Sequence, residues 1–296
     1  MILRKGDKMI NYIINGDSNC ILERIPEKTI DLIITSPPYN AGHNYDIYDD
    51  NKELKEYLKM LRNIFEKCYK VLKDDGKICI NVPFAIKNMK TKKVFFLANI
   101  IAEIVNDVGF NDFEMITWHK GKNIKHFQGN NTAWGSWKSP SCPNCRPMCE
   151  SVMVFYKLER SHSGDIHKAS ITSDEFKEYT KNSWYFQQDD IVYEDIICEP
   201  NNTKKDIHPA PYPIELIERL IKLYSYEDDL ILDPFNGIGT TTLAASNLKR
   251  QFIGIELSRT YCEIALKKIQ NKNTSIFTYD DLYANLVNSN LNSDTN

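Results

Sequence analysis

Leu230-Ile231-Leu232-Asp233-Pro234-Phe235-Asn236-Gly237-Ile238-Gly239-Thr240-Thr241 decides how this chain is read. Three apolar residues followed by Asp-Pro describe a short buried strand, the two glycines a turn, and the threonines the opening of a helix. A strand, a glycine loop and a helix are the repeating parts of a doubly wound sheet, which binds ligands beyond the carboxyl ends of its strands. Gly237 and Gly239 leave backbone bare for close approach, and the helix start offers free N–H groups. The Lys of a phosphate-binding P-loop is missing, which argues against a nucleoside triphosphate. One strand later, Glu256 ends Phe252-Ile253-Gly254-Ile255-Glu256, where an acid can accept both hydroxyls of a ribose.

Working outward, the same rhythm recurs. Tyr12 to Ile14 predicts a strand, Ser18 to Arg24 a short helix and Ile30 to Thr35 a buried strand. Leu54, Leu58, Leu61, Phe65, Cys68 and Leu72 recur at helical spacing up to Asp74-Asp75-Gly76, where the glycine can end the helix. Lys77 to Val82 reads as a strand, Val94 to Val108 as a helix and Phe113 to Trp118 as a strand. Between Lys120 and Gln188 the periodicity weakens and only Val152 to Tyr156 reads as a strand. Regularity returns with a helix at Pro213 to Ser225, a strand at Leu230 to Leu232, a helix at Gly239 to Leu248, a strand at Phe252 to Glu256 and a helix at Ser258 to Lys272. The expected fold is α/β: a doubly wound, mostly parallel sheet covered on both faces, carrying an irregular insertion.

Composition agrees with an ordinary globular protein. The 296 residues are 42% hydrophobic and 26% charged, which excludes a disordered or fibrous chain. A net charge of -3 argues against indiscriminate coating of nucleic acid or membrane, so any such contact must be local. Positive side chains predominate from Met115 to Arg160 and acids from Ile171 to Pro200. No apolar run approaches the length of a membrane span and the N-terminus lacks a secretory signal, so the expected location is the cytoplasm. The eight cysteines then read as thiols or metal ligands. Cys142, Cys145 and Cys149 have zinc-like spacing, to which His162 or His167 could add a ligand, but no second Cys-x2-Cys follows; thiols without metal are the expectation.

A second stretch carries chemistry: Asp31-Leu32-Ile33-Ile34-Thr35-Ser36-Pro37-Pro38-Tyr39-Asn40. Two prolines at a strand end fix the backbone, remove amide donors and present the Ser36 hydroxyl and the Ser36 and Pro37 carbonyls as acceptors. An acceptor array beside an aromatic ring suits an exocyclic amino group whose base stacks on Tyr39. The alternative is a strand-ending turn with a packed tyrosine.

Taken together these motifs resemble the amino-group DNA methyltransferases, the N4-cytosine and N6-adenine enzymes that use S-adenosylmethionine. Thr35 to Tyr39 resembles their catalytic motif, with Ser36, Pro37, Pro38 and Tyr39 as its site residues. Asp233, Pro234, Phe235, Gly237, Gly239, Thr240 and Thr241 resemble their cofactor loop, Glu256 their ribose acid, Asp17 the turn beside the cofactor's adenine, and His208-Pro209 an element enclosing the methionine part. Ile238 and Asn236 depart from the family's usual Ser and small residue. The order, catalytic motif first, resembles the circularly permuted β class with its Rossmann-like methyltransferase fold.

The resemblance implies a catalytic half at 8–119, a target-recognition region at 120–207 whose strand 151–157 joins the main sheet, a cofactor half at 208–284 and a frayed tail at 285–296. Lys120, Lys122, Lys125, Lys138, Trp134 and Trp137 are the expected DNA contacts, and His119 and His126 are expected at phosphate or solvent. The implied substrate is double-stranded DNA with its target base flipped out, in a restriction-modification setting; a cognate restriction endonuclease and a homodimer stay open. The implied reaction is in-line displacement by the amino nitrogen, with no covalent enzyme intermediate. Ser36, where N6-adenine enzymes usually carry Asp or Asn, and the tract Ala133 to Pro140 resemble the N4-cytosine branch; adenine N6 methylation and a non-catalytic DNA-binding partner are the alternatives.

Overall fold

Adjacent residues of a strand face opposite sides of a sheet, so Ile13-Ile14, Leu32-Ile33-Ile34 and Ile231-Leu232, all buried, need cover on both faces. The computed structural model describes residues 11–42, 46–88, 92–120, 147–186, 212–269 and 275–278. Its strands are β1 (Asn11–Asn15), β2 (Ile30–Thr35), β3 (Leu72–Pro83), β4 (Ile86–Lys87), β5 (Val94–Phe95), β6 (Asn111–Lys120), β7 (Cys149–Tyr156), β8 (Ser183–Phe186), β9 (Leu230–Asp233), β10 (Gln251–Glu256) and β11 (Ser275–Thr278). Its helices are α1 (Ser18–Ile21), α2 (Leu54–Val71), α3 (Leu97–Val108), α4 (Ser173–Tyr179), α5 (Ile214–Tyr224), α6 (Thr240–Asn247) and α7 (Arg259–Ile269).

Among the described residues nine strands form one sheet in the order β11-β1-β10-β9-β2-β3-β7-β6-β8, with β4 and β5 paired separately. Only β7 runs against its neighbours. On one face Ile14, Ile33, Ile78 and Ile80 pack against Leu61 and Phe65 of α2 and Ile101 and Val105 of α3. On the other, Ile13, Leu32, Ile34 and Cys79 meet α5, α6 and α7 through Leu216, Leu220, Ala244 and Ala265. The chain is thus a Rossmann-like α/β sheet with two cores. No helix among the described residues is long and apolar enough to cross a membrane.

The centre of the sheet decides where function sits. β2 and β9 are parallel neighbours, with Leu32 opposite Ile231 and Ile33 opposite Leu232. From β9 the chain passes through α6 to β10 on one side; from β2 it passes through α2 to β3 on the other. Connections leaving in opposite directions open a crevice at the carboxyl ends of the two strands.

Several elements differ from the sequence reading. Helix α2 ends at Val71, and Asp74-Asp75-Gly76 lies inside β3 rather than capping the helix. Leu72 is already extended, and a Cβ on Gly76 would stand 2.9 Å from the Asp31 carbonyl, so strand packing explains this glycine. Helix α3 begins at Leu97, because Val94-Phe95 pairs with Ile86-Lys87 as a small ribbon. The region expected to be irregular holds α4, capped by a reciprocal Thr172–Glu175 box, and β8, which extends the sheet edge beside β6. Trp184 of β8 and Trp118 of β6 are fully buried core residues, their indole N–H groups donating to the Tyr179 and Phe186 carbonyls.

Candidate functional site

The chain leaves β2 through Ser36-Pro37-Pro38-Tyr39 at the crevice. Tyr57 of α2 donates its hydroxyl to the Pro38 carbonyl at 2.8 Å. The next turn is held by buried Asp50, whose carboxylate accepts the backbone N–H groups of Asn40, Ala41 and Gly42 at 2.8, 3.1 and 3.2 Å. Asn40 has a left-handed φ of 55° and closes the loop by exchanging side-chain hydrogen bonds with the Lys52 backbone at 2.8 and 2.9 Å. The rigidity that two prolines suggest therefore also depends on an aspartate ten residues on, which no short motif contains.

Behind Tyr39 lies a polar network that the sequence reading missed. Ser36 Oγ and the Tyr39 hydroxyl are 2.7 Å apart. Glu150, at the start of β7, accepts from Asn81 Nδ2 at 2.7 Å and from the Tyr39 hydroxyl at 3.4 Å, and its other oxygen is ion-paired with Lys120. The Ser36 and Tyr39 hydroxyls share one hydrogen bond in which either can donate, and the Ser36 oxygen keeps a lone pair for a ligand N–H in both arrangements. Lys120, expected on DNA phosphate, is drawn instead to a buried carboxylate and lies 5.5 Å from the Trp118 ring. His119, expected at phosphate or solvent, stacks on Tyr185 with ring centroids 4.2 Å apart, and burial lowers its pKa.

The glycine loop faces this array from β9. Gly237 has a φ of 50° and donates its N–H to Glu256 Oε2 at 2.8 Å; Ser258 donates its own to Oε1 at 2.8 Å. Burial raises the Glu256 carboxyl to about 6 against those two donors. Gly239, with a φ of 83°, precedes α6, and a Cβ there would stand 2.5 Å from the Ala265 Cβ. Asp17 caps α1, accepting the Asn19 N–H at 2.8 Å.

Both motifs open on a single cavity of about 530 Å³. Ser36, Pro37, Pro38 and Tyr39 line it, as do Asp17, Pro234, Phe235, Gly237, Thr240 and Glu256. The far wall comes from Asp46 to Tyr48 and from Lys59, Met60 and Asn63 of α2, none of which a motif pointed to. Three residues assigned to the cofactor do not reach it. Asp233 has no accessible surface: it accepts Thr35 Oγ1 at 2.7 Å, the Tyr212 hydroxyl at 3.0 Å and the Phe235 N–H at 3.0 Å. Burial raises its pKa and these donors oppose the shift. Thr241 is buried against Tyr212 at 2.6 Å, and Gly239 serves helix packing. The three tie the loop to the sheet behind the cavity wall. His208, Pro209, Lys122, Lys125, His126, Trp134, Trp137 and Lys138 lie outside the described residues.

The zinc alternative loses one of its ligands. Cys149 opens the eight-residue β7 and His162 lies beyond its other end, a separation of about 25 Å at the rise of a strand. His162 instead meets Asp229 at 2.9 Å, Asp75 at 3.4 Å and Asp31 at 3.9 Å. Lys73 is ion-paired with Asp31 in the same cluster, supplying the positive charge that a cation would bring. Cys142 and Cys145 lie outside the described residues, and Cys149 is a free thiol.

Comparison with known proteins gives a consistent result. The family described as DNA methylase (N6_N4_Mtase) matches residues 30–267. Type II methyltransferase M.BglII of Bacillus subtilis is 29% identical over 261 residues, covering 86% of this chain and 68% of that protein. Among solved structures, a DNA modification methylase of Thermus thermophilus complexed with S-adenosyl-L-methionine superposes with a TM-score of 0.68 at 22% identity, over 91% of this chain and 99% of that one. The PvuII DNA methyltransferase, described as cytosine-N4-specific, has a TM-score of 0.62 at 23% identity, over 90% and 89% of the two chains.

Proposed function

The chain belongs to the DNA methylase family, and from that premise we propose that it transfers a methyl group from S-adenosylmethionine to the exocyclic N4 of cytosine in double-stranded DNA. One observation carries the reading: the acceptor array at Ser36 to Tyr39 and the glycine loop with Glu256 end adjacent strands and open on one cavity.

The residues present fit the cofactor. Glu256 is a half-buried acid beside a bare loop, as a ribose requires, and the cavity runs from there to Ser36 without a break. Pro234, Phe235, Gly237 and Thr240 would hold the nucleoside with Glu256, and Asp17 stands at the adenine side. S-adenosylmethionine supplies an electrophilic methyl on a sulfonium. Replacing Gly237 by Trp should abolish binding measured by calorimetry; wild-type affinity in that variant would refute the placement.

An exocyclic amine is a poor nucleophile because its lone pair is delocalised into the ring. Ser36 Oγ and the Pro37 carbonyl, accepting its N–H protons, favour the pyramidal form as positive charge develops on nitrogen. Tyr39 offers its ring to the flipped base, offsetting the few kcal/mol of unstacking. Asn81 and Glu150 hold the Tyr39 hydroxyl, and Tyr39 in turn holds the Ser36 hydroxyl.

Ser36 favours cytosine. Adenine N6 is the second reading, for the family contains both activities and the same acceptors serve either amine. Nucleosides from DNA of cells expressing the protein, separated by mass spectrometry, decide between them: N4-methylcytosine is expected, and N6-methyladenine alone would reassign the base. Sequence specificity is assigned to 120–207, the segment emerging from β6 and β7 beside Glu150. Exchanging it with a relative's segment should change the methylated sequence; an unchanged site would refute this.

A further inference from the structure

A second cavity, of about 470 Å³, lies on the α5 face and shares no lining residue with the first. Its wall runs from Lys77 of β3 across Phe113 of β6 to Tyr224 at the end of α5 and Tyr226 beyond it, with Tyr179 of α4 at its side. The volume is within the range of small-ligand sites.

Lys77 is the unusual member. It is 4% exposed, at a strand position facing the apolar core of α5, where a leucine would be expected. It has no carboxylate partner among the described residues, and its Nζ lies 5.3 Å from the Phe113 ring centroid. Lys157, the other buried lysine among the described residues, is by contrast bonded to the Leu72 carbonyl and paired with Asp74. The guanidinium of Arg160 lies 5.0 Å from the same Phe113 ring, likewise without an acidic partner among the described residues. Burial acts most strongly against the protonation of Lys77, Cys79 and Asp75 partly offset it, and Arg160 adds a smaller opposing effect. Glu114 is the one carboxylate in the wall, while Lys181 and Lys222 there are already paired with Glu178 and Glu175.

Two cations without acidic partners among the described residues flank one aromatic ring, Lys77 buried and Arg160 exposed, and a ligand with two negative charges neutralises both while relieving the burial of Lys77. A carboxylate has only one such charge; a phosphate monoester has nearly two. Phe113, Tyr224 and Tyr226 offer apolar faces for a flat ring attached to that phosphate. We propose that this cavity binds an aromatic phosphate monoester of the nucleoside monophosphate class, its phosphate between Lys77 and Arg160 and its base against Phe113 and Tyr224. The site is independent of methyl transfer, since it lies away from Ser36 and Glu256.

The test is calorimetric titration of the full chain with inosine 5′-monophosphate, which lacks an exocyclic amine, with and without S-adenosylhomocysteine. Saturable binding is expected in both conditions, with inosine and inorganic phosphate each weaker by about tenfold or more. Lys77→Met and Arg160→Met should each weaken the nucleotide by about tenfold or more while S-adenosylhomocysteine binding is unchanged. Arg160 is exposed, so its variant keeps the test valid if Lys77→Met does not fold. No saturable heat at millimolar nucleotide, equal binding in the variants, or equal binding of inosine or phosphate alone would overturn the proposal. Loss of S-adenosylhomocysteine binding in the wild type would count against the cofactor assignment instead.

Discussion

At the scale of single residues, charge burial distinguishes the groups proposed to bind from those that hold. In the proposed cofactor site Glu256 would have to be ionised to accept two ribose hydroxyls, yet its own burial raises it to about 6. The cofactor's dissociation constant should therefore be flat above pH 7 and rise as pH falls through about 6, whereas Glu256→Gln should be weak and flat throughout. Calorimetry across that range checks both, and a flat wild-type profile would remove Glu256 from the site. Glu150 is a holding residue. Glu150→Ala strands Lys120 and leaves the Asn81 amide and Tyr39 hydroxyl without their acceptor, a loss of about 2–3 kcal/mol. This is at the lower end for a buried pair because Lys120 keeps 27% of its side chain exposed. Urea unfolding measures it, and an unchanged midpoint would mean that the pair contributes nothing. Ser36, Tyr39 and Glu256 were legible because each sits within a short contiguous motif. Asp50, Asn81 and Glu150 were not: they reach the same loop from 10, 42 and 111 residues away and act through contacts that only folding creates. Asp233 was misread for the complementary reason, since its motif position is right but its side chain turns into the sheet.

At the scale of elements, what periodicity reveals depends on length. The eighteen-residue α2 has enough turns to show its apolar stripe, and β2 and β9 show as buried runs. The four-residue β8 offers one buried tryptophan and one buried phenylalanine, a pattern too short to separate from a loop, although it extends the sheet edge. The end of α2 at Val71 was invisible because β3 follows without a connecting loop. Away from the cavity, the first residues of β2, β3 and β9 are fastened together by charge. Asp31 accepts the Leu230 N–H at 2.9 Å, and His162 lies among Asp31, Asp75 and Asp229. Burial disfavours the charged imidazole, but the Asp229 hydrogen bond and the three carboxylates prevail, so its pKa is raised above the ordinary 6.5. A raised histidine contributes stability that is complete below about 6.5 and is lost as pH rises through the folded value. The thermal midpoint should accordingly fall with pH above 6.5, and the His162→Asn protein should lose that slope. Parallel wild-type and variant profiles would show that the imidazole is neutral in the fold.

At the scale of the molecule, the cavity lies where two groups of strands meet, β11-β1-β10-β9 and β2-β3-β7-β6-β8, and is lined by the segments that follow β1, β2, β9 and β10, so a ligand in it braces that junction. S-adenosylhomocysteine at one hundred times its dissociation constant should stabilise the fold by about 2.7 kcal/mol, a rise of about 5–10 °C in thermal midpoint. One cooperative transition should be retained in scanning calorimetry; a rise confined to one of two separate transitions would mean that the groups fold independently. The order of the strands also bears on synthesis. β1 is seated between β10 and β11, with Asn15 beside Glu256, so the first described strand to leave the ribosome finds its neighbours only when the last are made. Some 241 residues separate Asn15 from Glu256, about 10–50 s of translation at ordinary rates. Throughout that interval a β-branched segment stays unpaired while β2, β3, β6 and β7 can already assemble. Glu256, the glycine loop and the pairing of β1 between β10 and β11 are thus completed together, so the cavity that Glu256 and the loop line cannot close until β10 has been made.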